Sequence, residues 1–142
     1  MTARRDFQRS IDALDELVVF TDEAMAGSAF EAAERQAVHF TIEEIFTNMV
    51  KYAATGAPRI TIQIDASDGE VAVTMIDHDV SPFDPTVAPD APVALPIGQR
   101  ESGGLGLHVL RRLVDSLSYA YDADLRTGHT SFRVSVAQRP AC

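Results

Sequence analysis

Along the chain, hydrophobic and polar positions fall into an order of helix, helix, strand, strand, unpatterned stretch, helix, strand, strand. Residues 10–26 place Ile11, Leu14, Leu17, Val18 and Met25 at helical spacing. Ser10 offers a side-chain oxygen to the first N–H groups, and Gly27-Ser28 ends the run. Residues 31–54 predict a longer helix with Ala33, Ala37, Phe40, Ile45, Met49 and Tyr52 on its inner side, stopped by Thr55-Gly56-Ala57-Pro58. Strict alternation over residues 59–64 and 71–76 predicts two strands, joined at Ser67-Asp68-Gly69 as a hairpin. A third helix is expected over residues 105–117, from Leu107, Val109, Leu110, Leu113, Val114 and Leu117. Strands follow at residues 118–121 and 131–136, with the turn at Arg126-Thr127-Gly128-His129. Residues 1–9 read as a tail or an edge strand. Helices covering one face of a mixed, mostly antiparallel sheet make a two-layer α+β sandwich, and 142 residues are the length of a single domain.

The pattern vanishes between Asp77 and Ser102, where five of the seven prolines lie: Pro82, Pro85, Pro89, Pro92 and Pro96. So long a structureless stretch inside a compact domain is either disordered or a functional lid. It ends at Gly103-Gly104-Leu105-Gly106-Leu107, three glycines opening onto a helix. Bare N–H groups, close backbone approach and the helix dipole make such a start a ready anion site. A plain hinge before an ordinary helix is the competing use of the same glycines.

Charge narrows the partners. With a formal net charge of −9, the chain repels nucleic acid and anionic membrane, so neither is an expected partner. Any bound polyphosphate must then be met by local cations, a metal ion or backbone dipoles. No apolar run is long enough for a membrane span, and the single cysteine, Cys142, has no disulfide or metal-cluster partner, so a reducing, cytoplasmic setting is expected.

Three places carry candidate chemistry. Glu44 and Asn48, four apart on the second helix, share a face and offer a carboxylate base beside an oxygen ligand for Mg²⁺. A structural hydrogen bond would account for them equally. Asp77 ends the second predicted strand and is placed to accept from a ligand amino group, although aspartates also serve turns there. The glycine stretch is the third. His39, His78, His108 and His129 show no zinc-ligand spacing, no nucleophile-elbow motif occurs, and the glycines match neither a P-loop nor a dinucleotide fingerprint.

In order and spacing, these stations resemble the histidine-kinase-like ATPase superfamily, and within it the anti-sigma-factor serine-kinase branch, over roughly residues 8–138. Glu44-Ile45-Phe46-Thr47-Asn48 resembles the N box, Asp77 through Pro82-Phe83-Asp84-Pro85 the adenine box, and Gly103-Gly104-Leu105-Gly106-Leu107 the phosphate box. The resemblance implies ATP and Mg²⁺ as cofactors. It makes Glu44 the general base toward an accepting serine, Asn48 the Mg²⁺ ligand and Asp77 the acceptor for the adenine amino group. Gly103, Gly104, Leu105, Gly106 and Leu107 would line the phosphates through backbone N–H groups, Arg100 would approach the γ-phosphate, and residues 84–102 would be the ATP lid. The implied partner is a STAS-domain anti-sigma-factor antagonist, with a sigma factor as a further partner. The apolar first helix is open to two uses, core or homodimer contact. One departure stands out: Asp79 occupies the place of the adenine-box glycine, and the segment from Asp77 to Phe83 is one residue longer than usual, which leaves Asp79 as an alternative adenine ligand. A non-catalytic binding module with a degraded nucleotide site is the rival reading.

Overall fold

The computed structural model describes residues 2–27, 29–67, 69–87 and 103–136, with the side chains of residues 103–105 excepted. Strand β1 (Thr2–Gln8) leads through a short 3-10 turn (Ile11–Ala13) into helix α1 (Leu14–Ala24), then α2 (Ala32–Tyr52), β2 (Arg59–Ser67), β3 (Glu70–Asp77), α3 (Gly103–Leu113), β4 (Ser116–Asp122) and β5 (Thr127–Ser135). The strands form one sheet in the order β1-β2-β3-β5-β4, and all four pairings are antiparallel where a mostly antiparallel sheet was expected. β3 is central, so its last residue, Asp77, is fixed from both sides, opposite Ile60 and opposite Gly128.

Alternation explains the layers. Phe7, Ile60, Ile62, Ile64, Val71, Val73, Met75, Phe132 and Val134 are buried on one side of the sheet. Thr61, Gln63, Thr74 and Ser131 alternate with them on the other side, where the Thr74 and Ser131 hydroxyls lie 3.3 Å apart. The helices cover the apolar side with Leu17 and Phe20 of α1, Val38, Ile42, Ile45, Phe46 and Met49 of α2, and Leu107 and Leu110 of α3. Phe7 meets Phe20 edge to face at 5.3 Å, which ties the edge strand to the helix layer. Ser10 caps the first turn as expected, accepting from Asp12 N.

Several boundaries differ from the sequence pattern, each for a local reason. The buried stripe of α2 is centred on Val38, Ile42, Ile45 and Met49, while Ala33 is exposed and Tyr52 half-buried, because the stripe follows the sheet surface and not hydrophobicity alone. Helix α3 stops at Leu113 and gives Leu117 to β4. At Asp115 the chain changes partners: its N–H donates to Arg133 O at 2.8 Å, and its carboxylate accepts from Ser135 N at 2.6 Å. The β4–β5 turn lies earlier than expected, at residues 123–126, because the Asp122 carboxylate accepts from the N–H groups of Asp124 and Leu125 and closes the turn locally. Residues Thr127–His129 are therefore strand. Among the described residues no helix is long and apolar enough to cross a membrane.

Candidate functional site

α2 and α3 pack together, and Glu44 approaches Gly106 closely across them. A Cβ placed on Gly106 would lie 2.9 Å from Glu44 Oε2 and closer still to Oε1 and Cδ. Only a residue without a side chain lets the Glu44 carboxylate lie on the backbone of the first turn of α3. Burial pushes the Glu44 carboxyl above its ordinary value, partly offset by the positive charge of Lys51. The carboxylate thus borders the positive end of a helix dipole.

One turn further along α2, Asn48 is buried at 2% exposure, and its Nδ2 donates to Pro85 O at 3.2 Å. This bond fixes which end of the amide faces the loop after β3. That loop is fastened on every side. Tyr121 donates its hydroxyl proton to Val80 O, the Phe83 N–H donates to Tyr119 Oη at 3.1 Å, and Arg111 of α3 donates to Thr86 O at 2.6 Å. The Asp84 carboxylate accepts from Thr86 N at 2.8 Å. Beside the loop is a cavity of about 150 Å³ lined by Tyr52, Ala53, Thr55, Val80, Ser81, Pro82 and Phe83, with the Tyr52 and Phe83 rings 5.8 Å apart. The Tyr52 and Phe83 rings, Pro82 and Val80 share its wall with the polar Thr55 and Ser81.

Asp77 is buried, but it is not open to that cavity. Arg9, the residue after β1, donates from Nη2 to Asp77 Oδ1, and the two side chains are 5% and 6% exposed. Arg9 also donates from Nε to Ala57 O at 2.8 Å and from Nη1 to Met49 O at 3.4 Å. Burial pushes the Asp77 carboxyl above its ordinary value, and the hydrogen bond and charge of Arg9 pull it back. Asp79 takes a positive φ of 53°, so an aspartate holds the left-handed turn where the resembled pattern has glycine. Its side chain is 72% exposed and pairs with Arg126 at 3.3 Å.

The sequence-derived residues therefore divide. Glu44 and Gly106 come together at the α2–α3 junction, Asn48 lies one turn further along α2 against Pro85, and Gly103, Gly104 and Leu105 belong to the same first turn of α3 as Gly106. The Leu107 side chain is core, at 3% exposure, which leaves only its backbone for a ligand. Asp77 lies at the end of β3 and is engaged by Arg9, while Asp79 points outward. Arg100 and residues 88–102 of the expected lid lie outside the described residues. Arg9 and Tyr121 went unnoticed in the sequence, and Tyr119 figures there only as part of a strand start. The two tyrosines alternate on one face of β4, a signal for a shared role, whereas Arg9 pairs with a residue 68 positions away and leaves no local trace.

The donor set fits Mg²⁺ carried in with a ligand. Among the described residues no group of three or more His, Cys, Asp or Glu could hold a metal ion, so no metal cage is built from protein alone. One amide oxygen is the sparse provision that suits a cation keeping its waters and binding substrate phosphates.

A family model described as the histidine kinase-like ATPase domain matches residues 7–134. Among solved structures, the chain is similar to the RsbU and RsbW domains of Rv1364c from Mycobacterium tuberculosis, with a TM-score of 0.65 at 17% identity over 99% of this chain. It spans 34% of that chain, about a third of its length. The histidine kinase AdeS of Acinetobacter baumannii is matched at a TM-score of 0.48 and 12% identity, over 96% of this chain and 68% of that one. No curated protein sequence matches this chain.

Proposed function

The chain belongs to the histidine kinase-like ATPase domain family, and we propose that it is a cytoplasmic ATP- and Mg²⁺-dependent protein serine kinase of the anti-sigma-factor type. Its substrate is a STAS-domain antagonist, which phosphorylation switches between bound and released states, with a sigma factor as the competing partner. The observation that carries this reading is the contact between Glu44 and Gly106, which sets a carboxylate of raised pKa against the helix start that would receive phosphates. The RsbW domain named in the matched structure agrees with the branch proposed from the sequence.

In this reading the base enters beside Tyr52 and Phe83, and Asp77, which the cavity does not reach while Arg9 holds it, accepts from its amino group. Backbone N–H groups of residues 103–107 receive the phosphates, and Arg100 approaches the γ-phosphate. Glu44 takes the proton of the attacking serine hydroxyl as the hydroxyl oxygen bonds to the γ-phosphorus and the bridging oxygen of ADP leaves. Asn48 would hold Mg²⁺ through its amide oxygen, and the ion would supply charge neutralisation on the phosphates. Positioning and electrostatics account for most catalysis of phosphoryl transfer.

The test is incubation of the purified chain with labelled ATP, Mg²⁺ and candidate STAS proteins, beside Glu44→Gln. Wild type transfers label to a serine. The variant keeps its nucleotide affinity and loses transfer by roughly a hundredfold or more, the range of a positioned general base. The rival, a partner-binding module that does no chemistry, is favoured by one observation: Asp77 is already bonded to Arg9. Capture of a partner with no ATP binding at millimolar concentration would establish that module and end the kinase reading.

A further inference from the structure

The Arg9–Asp77 pair differs in kind from the exposed pairs Arg126–Asp79 and Arg133–Glu70. Its arginine reaches the end of α2 through Met49 O, the α2–β2 connection through Ala57 O and the end of β3 through Asp77. Gly56 makes room for it: a Cβ there would stand 2.7 Å from Arg9 Cζ and 2.6 Å from Val80 Cγ1. The guanidinium thus lies beside Val80, which lines the cavity, while Asp77 does not line it.

We propose that Arg9 is an internal competitor for Asp77, so that a nucleotide base gains this carboxylate only by displacing the guanidinium, and that the displacement loosens the end of β1. The inference rests on the reading of Asp77 as the base acceptor. A carboxylate already bonded to a guanidinium is a poorer acceptor for a neutral amino group, and the pair sits where the amino group would have to arrive. Exchange is feasible because the guanidinium recovers its hydration on leaving, which offsets much of the lost Coulomb attraction. The link to β1 is covalent and short. Arg9 follows Gln8 directly, and its N–H donates to Pro58 O at 2.8 Å, continuing the β1–β2 ladder whose last pair is Gln8 with Arg59. Base occupancy would therefore be read at the outer edge of the sheet, on the strand that carries Arg4, Arg5 and Asp6.

Two measurements on the full chain test this. Titration calorimetry with Mg-ATP compares wild type with Arg9→Met, which keeps an unbranched stem and removes every side-chain donor. Removing the competitor should tighten binding by about tenfold or more, the scale of one charge-assisted hydrogen bond. Hydrogen exchange on wild type needs no substitution and covers the case in which Arg9→Met does not fold: saturating Mg-ATP should speed exchange at the amides of residues 3–9. Equal or weaker binding by Arg9→Met, or unchanged or slower exchange in β1 while wild type binds ATP, overturns the competition and leaves the kinase reading intact. Absence of Mg-ATP binding by both proteins at millimolar concentration overturns both.

Discussion

Gly106→Ala adds one methyl group at the α2–α3 junction, and its effect follows from what that methyl meets. Its neighbours would be Glu44 Oε2 at 2.9 Å, with Oε1 and Cδ nearer, all at the far end of a flexible side chain. The carboxylate clears the methyl by turning away, and restoring van der Waals separation takes about 1 Å or more. The fold should tolerate this. Alanine in place of glycine within a helix contributes about 0.5–1 kcal/mol in favour of the folded state, which opposes the small cost of moving Glu44. Chemistry should not tolerate it, since a misplacement of about 1 Å can cost roughly a hundredfold in rate. Chemical denaturation should show stability unchanged or slightly raised, while phosphoryl transfer to the STAS partner falls by about that factor. Glu44→Gln and the double variant complete the cycle. If the methyl acts by displacing Glu44, the double variant is no slower than Glu44→Gln alone. Full transfer by Gly106→Ala would refute the reasoning. So would a double variant slower than Glu44→Gln by a further hundredfold, which would place the role of Gly106 in phosphate contact instead.

Further outcomes are open to measurement. The Glu44 carboxyl is raised in the folded state, so ionising it opposes folding. Glu44→Gln should therefore melt higher than wild type at neutral pH, and the gap should close as pH falls through the raised pKa to below 4.5, its ordinary value; a gap independent of pH would contradict burial as the cause. Asp79→Gly relieves the φ of 53° and loses only an exposed ion pair, so stability should stay within about 1 kcal/mol and nucleotide affinity should hold or improve; a clear loss of affinity would make Asp79 a ligand. Tyr121→Phe removes the hydrogen bond to Val80 O, at about 0.5–1.5 kcal/mol, and should quicken hydrogen exchange at residues 80–83; unchanged exchange would show that the loop is held by its other contacts.

How far the sequence reached can be seen residue by residue. Period-2 alternation located β2 and β3, and the Glu44–Asn48 spacing put the two side chains one turn apart on α2, because these depend on neighbours close in the chain. The Asp79 turn also rests on a local property, the residue's own tolerance of left-handed backbone. The end of α3 was not, because Val114 and Leu117 continue a helical pattern that the ladder to Arg133 overrides. Nor was Arg9: an arginine after a strand ordinarily faces water, and only the meeting of β1, the α2–β2 connection and β3 creates its three acceptors.

The sheet order also governs how the site is assembled in time. Two pairings are local hairpins, β2–β3 and β4–β5, but β3–β5 joins Glu70 to Ser135 and β1–β2 joins Thr2 to Asp65. Loop closure over such separations is the slow part of folding. Asp77 acquires its second neighbour, Gly128, only in the β3–β5 pairing, and Arg9 is aligned beside it only once β1 has docked. During synthesis the early strands can form their hairpin while the ligand surface is still missing one wall. Nucleotide can then act on the folding reaction only after its slowest step, slowing unfolding without speeding folding, which refolding kinetics with and without Mg-ATP would register as a change in one limb of the chevron alone.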